Sequence, residues 1–156
     1  MTDRDPITCH VLNTLNGTPA AGISCALTLV NVHVPSPVNC SRAPDQPPSF
    51  HATTDADGRV KTWIPTNPSA QQHGSLRTAM ESLPSRVESD GGQTRSTWSL
   101  CLGDVGKWYA KQGVDSFWGD VTVQFVVCGK EGERDWRHYH VPVLLGPWNY
   151  STYRGS

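Results

Sequence analysis

The chain has 156 residues, with 13 basic and 14 acidic side chains, a formal charge of -1 and 37% apolar residues. That is the size of one ordinary domain, residues 1–156, with enough apolar material to bury a core. The balanced charge excludes the basic footprint of a nucleic-acid binder and a polybasic membrane patch, and no apolar run approaches the roughly 18 residues of a membrane helix.

The opening Met1-Thr2-Asp3-Arg4-Asp5-Pro6 lacks a hydrophobic signal core. The expectation is a cytoplasmic protein, with the peroxisome as the other compartment, although Arg154-Gly155-Ser156 matches no C-terminal address. Cysteine usage agrees with an intracellular setting. Cys9, Cys25, Cys40, Cys101 and Cys128 are odd in number and have no C-x-x-C spacing, so neither a disulfide framework nor a zinc knuckle is expected.

Along the chain the apolar period is two. Ile7, Cys9 and Val11 alternate with Thr8, His10 and Leu12, and the turn signal Asn16-Gly17-Thr18-Pro19 follows. Ile23, Cys25, Leu27 and Leu29 then alternate with smaller or polar residues. Such alternation is what half-buried strands require, because successive side chains point to opposite faces. Val34 to Phe50 holds five prolines, at 35, 37, 44, 47 and 48, and is read as a long inserted surface loop. Asp55-Ala56-Asp57-Gly58 is a turn, with Arg59 directly after it. Ile64 to Arg95 is rich in Ser, Gln, Gly and Pro and is read as a second inserted loop, within which Leu76 to Leu83 can form a turn or two of helix.

The strand rhythm resumes with Trp98, Leu100 and Leu102. Asp104 is placed to cap a short helix over Val105 to Gln112, which Gly113 ends. Val121, Val123, Phe125 and Val127 alternate again, Gly129 to Gly132 turn the chain, and the last strand follows His138. Many short strands with this punctuation read as an all-β, two-sheet antiparallel sandwich.

Histidine is the most informative residue type. In Arg137-His138-Tyr139-His140-Val141-Pro142-Val143, spacing by two puts His138 and His140 on one strand face and Tyr139, Val141 and Val143 on the other. His10 likewise opposes the Ile7, Cys9 and Val11 set. All three imidazoles therefore fall away from the inferred core. Their sharp readings are acid–base catalysis or a metal site built from His10, His138 and His140; the bland reading is three ordinary surface histidines. Arg59 on its own reads as a solvated turn arginine. G-x-S-x-G and H-E-x-x-H are absent. A Cys9–His10 dyad fails because adjacent strand residues point to opposite faces.

Taken together, Ile7-Thr8-Cys9-His10-Val11-Leu12-Asn13, Gly17-Thr18-Pro19-Ala20, Thr54-Asp55-Ala56-Asp57-Gly58-Arg59, His138-Tyr139-His140-Val141-Pro142 and the closing Tyr150-Ser151-Thr152-Tyr153-Arg154-Gly155-Ser156 resemble the 5-hydroxyisourate hydrolases. These are the transthyretin-related enzymes of urate breakdown. The resemblance covers both ends, the first turns and the stretch from Lys107 to Val127; the two long loops lie outside it.

The resemblance implies a transthyretin-like sandwich of about eight strands with one short helix, assembled as a homotetramer (a dimer of dimers) with active sites in a channel where dimers meet. It implies hydrolysis of 5-hydroxyisourate to 2-oxo-4-hydroxy-4-carboxy-5-ureidoimidazoline, on the way from urate to allantoin. By position, His10, Arg59 and His140 match the catalytic trio. Tyr153 and Ser156 match residues lining the substrate pocket, with His138 in the same motif. Such chemistry asks for no cofactor and no metal, and its partners are the small-molecule substrate and other copies of the chain. Activity is expected to weaken below pH of about 6.5, where an ordinary imidazole protonates. A non-catalytic transthyretin-like carrier of a small ligand is the rival reading.

Overall fold

A computed structural model describes residues 3–33, 41–42, 46–67, 74–83, 94–133 and 136–156. The expected alternation becomes a two-sheet sandwich with eleven strands among the described residues, several of only two residues. The first sheet runs β11 (Tyr150–Thr152), β10 (Tyr139–Leu145), β1 (Ile7–Asn13) and β2 (Thr18–Pro19), with β6 (Arg59–Val60) also paired to β1. The second runs β7 (Ile64–Pro65), β5 (Ser49–Thr53), β3 (Ser24–His33), β8 (Arg95–Gly103) and β9 (Val121–Cys128), with β4 (Ser41–Arg42) also on β3.

The inward faces are the sets that the period of two selects. Ile7, Cys9, Val11, Val141, Val143 and Leu145 from the first sheet meet Cys25, Leu27, Leu29, Trp98, Leu100 and Leu102 from the second, all buried. Burying one such side chain contributes roughly 1.5–3 kcal/mol, so a one-residue slip of any of these strands would forfeit several at once. Cys9, Cys25, Cys101 and Cys128 are free thiols, and Cys40 lies outside the described residues.

The pairing of β1 with β10 is parallel, with Thr8 opposite His140 and His10 opposite Pro142. Sequence alternation gives a strand's faces but not its direction relative to a distant neighbour, and between these two strands the chain runs through β2, β6 and every strand of the second sheet.

Two helices accompany the sheets. Helix α1 (Leu76–Glu81) lies inside the 64–95 stretch, capped by Ser75, whose hydroxyl accepts from the Thr78 amide. It adds Leu76, Ala79 and Met80 to the core, with Leu83 just beyond. The described parts of the 34–50 stretch likewise include β4 and the start of β5, with Phe50 fully buried.

Helix α2 (Val105–Ala110) sits where expected, but Asp104 does not cap it through its side chain. Asp104 has a left-handed φ of 54°, and its carboxylate stands 3.7 Å from Lys107 instead. Its own amide donates to Asp120 Oδ1 at 2.8 Å, which is what fixes the helix entry. The fully buried Tyr109 of α2 donates its hydroxyl to Asn13 Oδ1 at 2.8 Å and approaches the Leu145 carbonyl at 3.1 Å, tying the helix to the ends of β1 and β10.

Candidate active site

The outward face of the first sheet collects the polar residues of three separate segments. On β1, Thr8 and His10 share that face, two residues apart. Antiparallel pairing of β1 with β6 sets Arg59 directly opposite His10. Directly opposed residues hold their Cβ atoms about 4.5–5.5 Å apart, so the imidazole and guanidinium are neighbours by register.

Arg59 is delivered there by the turn before it. Asp55 Oδ1 accepts from the amides of Asp57 and Arg59, each at 2.9 Å, and the Gly58 amide donates to the Asp55 carbonyl at 2.9 Å. The bond from the Arg59 amide, chiefly, holds the Asp55 carboxyl below its usual range. Gly58 has φ of 75°, and a Cβ there would sit 2.4 Å from the Val11 carbonyl oxygen, so glycine is required for this close crossing.

From β10 comes His140, opposite Thr8 in register. The Thr8 hydroxyl lies 2.8 Å from His140 Nδ1 and 2.8 Å from His138 Nε2. Burial lowers the His140 pKa, and the adjacent Arg59, His10 and Arg4 charges lower it further. His138 is pushed down to about 4, by burial first and then by Arg4, His140 and Arg154, against an opposing pull from Glu131. Both imidazoles are therefore neutral at pH 7, with lone pairs available.

The C-terminal segment closes over this face. The Gly155 amide donates to the His140 carbonyl at 2.8 Å, and a Cβ on Gly155 would meet His140 Cδ2 at 2.8 Å. Arg154 stacks over the Tyr139 ring at 4.1 Å and donates to the carbonyls of Gly155 and His138.

Thr8, Arg59, His140 and Ser156 line one cavity of about 130 Å³, which Arg4 also borders. Tyr153 is 60% exposed and lies in an adjoining groove of about 350 Å³ that His140 also borders. His138 and Ser156 share a further recess with Arg154. His140 is thus the hinge of the arrangement: the first cavity joins it to Arg59 and Ser156, the second to Tyr153, and register brings His10 alongside.

Two residues of the site were not singled out from the sequence. Thr8 had a signal, its place two before His10 on the same strand face. Arg4 had none, because it precedes the first strand. Its place follows from Asp5, whose carboxylate accepts the Trp63 amide at 2.7 Å and whose amide donates to the Lys61 carbonyl at 2.8 Å. Among the described residues, no three His, Cys, Asp or Glu side chains are grouped so as to hold a metal ion.

Comparison with known proteins gives matches along nearly the whole chain. Residues 7–155 match the family described as HIUase/Transthyretin. A Schizosaccharomyces pombe protein named "Probable 5-hydroxyisourate hydrolase" is 33% identical over 152 residues, 96% of this chain and 90% of that one. The 5-hydroxyisourate hydrolase of Deinococcus radiodurans is 31% identical over 156 residues, all of both chains. The solved structure of Klebsiella pneumoniae 5-hydroxyisourate hydrolase superposes with a TM-score of 0.53 at 25% identity, covering 96% of this chain and 97% of that one.

Proposed function

This chain belongs to the HIUase/transthyretin family, and from that membership we propose that His10, Arg59 and His140 are the groups with which it works on its substrate. The activity is hydrolysis of 5-hydroxyisourate in urate breakdown, not passive carriage of a ligand. One observation supports the residue assignment above others. Three segments remote in sequence place His10 opposite Arg59 and Thr8 opposite His140 on a single outward face.

The chemistry follows from that placement. Water attacks a ring carbonyl of the cyclic substrate. A bare imidazole nitrogen of His10 or His140 takes the water's proton, worth roughly 10²–10⁴ in rate. Arg59 is permanently charged, so it faces the oxygen on which negative charge develops, and with burial it favours the neutral form of His140. The ring C–N bond then breaks, the leaving nitrogen takes a proton back from imidazolium, and the new carboxylic acid gives its remaining proton to solvent to leave a carboxylate. Tyr153 and Ser156 bind the heterocycle from the C-terminal segment, and Arg4 faces the side on which charge accumulates. No cofactor is needed for these steps.

The finer setting is part of the same proposal. One domain spans 1–156 and acts in the cytoplasm as a homotetramer, with the catalytic face turned toward neighbouring copies. The exposure of Leu15, Trp148 and Tyr153 supports that assembly, as does a catalytic set pointing away from its own core. Sedimentation of a 156-residue monomer at micromolar concentration would reject the assembly.

The decisive test of the activity is timed ultraviolet absorbance of freshly generated 5-hydroxyisourate, with and without the protein. Faster decay is expected, with His10→Ala, Arg59→Ala and His140→Ala each slowing it by roughly 10²-fold or more while circular dichroism is unchanged. Near wild-type rates in all three variants reject the residue assignment.

A further inference from the structure

Thr8 is buried, at 4% exposure, whereas His10, Arg59 and His140 are partly exposed, and its hydroxyl touches two imidazoles at once. A hydroxyl carries one proton and donates it once. With partners at 2.8 Å on both sides, it either donates to one ring nitrogen and accepts from the other, or accepts from both; accepting from both leaves the proton of this buried hydroxyl with no acceptor among the described residues, which disfavours that case. With the hydroxyl proton paired to one ring, the two histidines are not independent: the tautomer of one fixes the tautomer of the other.

Two arrangements of neutral rings satisfy both bonds and also pair the hydroxyl proton. In the first, Thr8 donates to His138 Nε2 and accepts from a proton on His140 Nδ1, which leaves His140 Nε2 with a bare lone pair. In the second, Thr8 donates to His140 Nδ1. A neutral His140 then carries its proton on Nε2 and has no basic nitrogen left. Of these two, only the first allows His140 to take a proton from water.

We propose that Thr8 is a positioning residue that, with His138 as the acceptor of its proton, holds His140 in the Nδ1–H tautomer and presents Nε2 as the base. His138 does not touch the reacting atoms in this scheme; its work is to accept at Nε2. That requires a neutral ring, because a doubly protonated His138 can only donate to Thr8 and would turn the hydroxyl toward His140. Burial first, and then the Arg4 and Arg154 charges, outweigh Glu131 and keep the His138 ring neutral. Strand register makes the geometry inflexible, since Thr8 and His140 are directly paired between β1 and β10. The proposal rests on the hydrolase reading for its catalytic meaning, but its tautomer statement belongs to the free protein.

The test uses Thr8→Val, which keeps shape and strand propensity but removes the hydroxyl, and Thr8→Ser, which keeps it. Nitrogen-15 spectra of histidine-labelled free protein read the His140 tautomer without substrate. The wild type is expected to show a protonated Nδ1 and bare Nε2 on His140. Thr8→Val is expected to mix the two tautomers and to lower kcat by roughly 10-fold or more with KM little changed, while Thr8→Ser stays within about threefold of wild type on both counts. A wild-type His140 with its proton on Nε2, or a Thr8→Val protein with wild-type spectra and wild-type kcat, overturns the proposal. Failure of the wild-type protein to accelerate substrate decay would instead sink the hydrolase reading, and the spectra would still decide the tautomer.

Discussion

Arg77 donates its guanidinium to the main-chain carbonyl of Arg4 at 2.7 Å, and so links helix α1 to the rim of the His140 cavity. The same guanidinium pairs with Glu131, beside the turn after β9. Lys130 fastens the far end of α1 by donating to the carbonyls of Glu81 and Leu83, at 2.9 and 2.7 Å. A stretch that sequence composition marks as an inserted loop is thereby tied to a residue of the site.

Arg77→Ala should separate these roles. Its ion pair is partly solvated, so unfolding in urea should show a loss of only about 1 kcal/mol. KM for 5-hydroxyisourate should rise several-fold as Arg4 loses its anchor. An unchanged KM would mean that Arg4 is placed by Asp5 alone.

The pH dependence follows from the two lowered histidines. The folded protein favours neutral His138, with a pKa of about 4, over the charged form that an unfolded chain adopts below about 6.5. The unfolded state therefore binds more protons in that window. Stability is fully present above pH of about 6.5 and is lost progressively as pH falls toward about 4. His140 contributes with the same sign. Thermal midpoints between pH 4 and 7 should show this slope, and His138→Asn should flatten it. The acid limb of kcat/KM should also fall below the pH of about 6.5 expected for an ordinary imidazole, and a limb above that value would contradict the lowered His140.

Gly155→Ala tests the tail. The added Cβ would meet His140 Cδ2 at 2.8 Å and Pro142 Cγ at 3.0 Å, neither of them the end of a flexible chain. The tail must shift and carry Ser156 with it. Activity should drop by roughly 10-fold or more, while the thermal midpoint moves by less than about 4 °C. Unaltered kinetics would show that the tail does not need this seat.

Gly58→Ala tests the turn. A residue with a Cβ is strained at φ of 75°, and that Cβ would sit 2.4 Å from the Val11 carbonyl oxygen. The turn should move away from β1, with roughly 2 kcal/mol or more lost in denaturant unfolding and Arg59 displaced from His10. A stable Gly58→Ala protein with full activity would show that Arg59 does not depend on this crossing.

The sequence by itself determined the layers and their faces. Period-two alternation selected Ile7, Cys9 and Val11, then Val141 and Val143, for the core, and that choice sent His10 and His140 outward. The physics is local, because a strand's side chains alternate wherever the strand lies. The family resemblance added the identity of the trio and the weight of Arg59, which composition alone leaves as a turn residue. Tertiary structure decided what depends on partners distant in the chain. The parallel register of β1 with β10 brought Thr8 between His138 and His140, and Asp5 with Arg77 set Arg4 at the cavity. Separations of 130 and 132 residues leave no trace in local pattern, since a hydroxyl's partners are fixed by which strands pair and not by its neighbours in sequence.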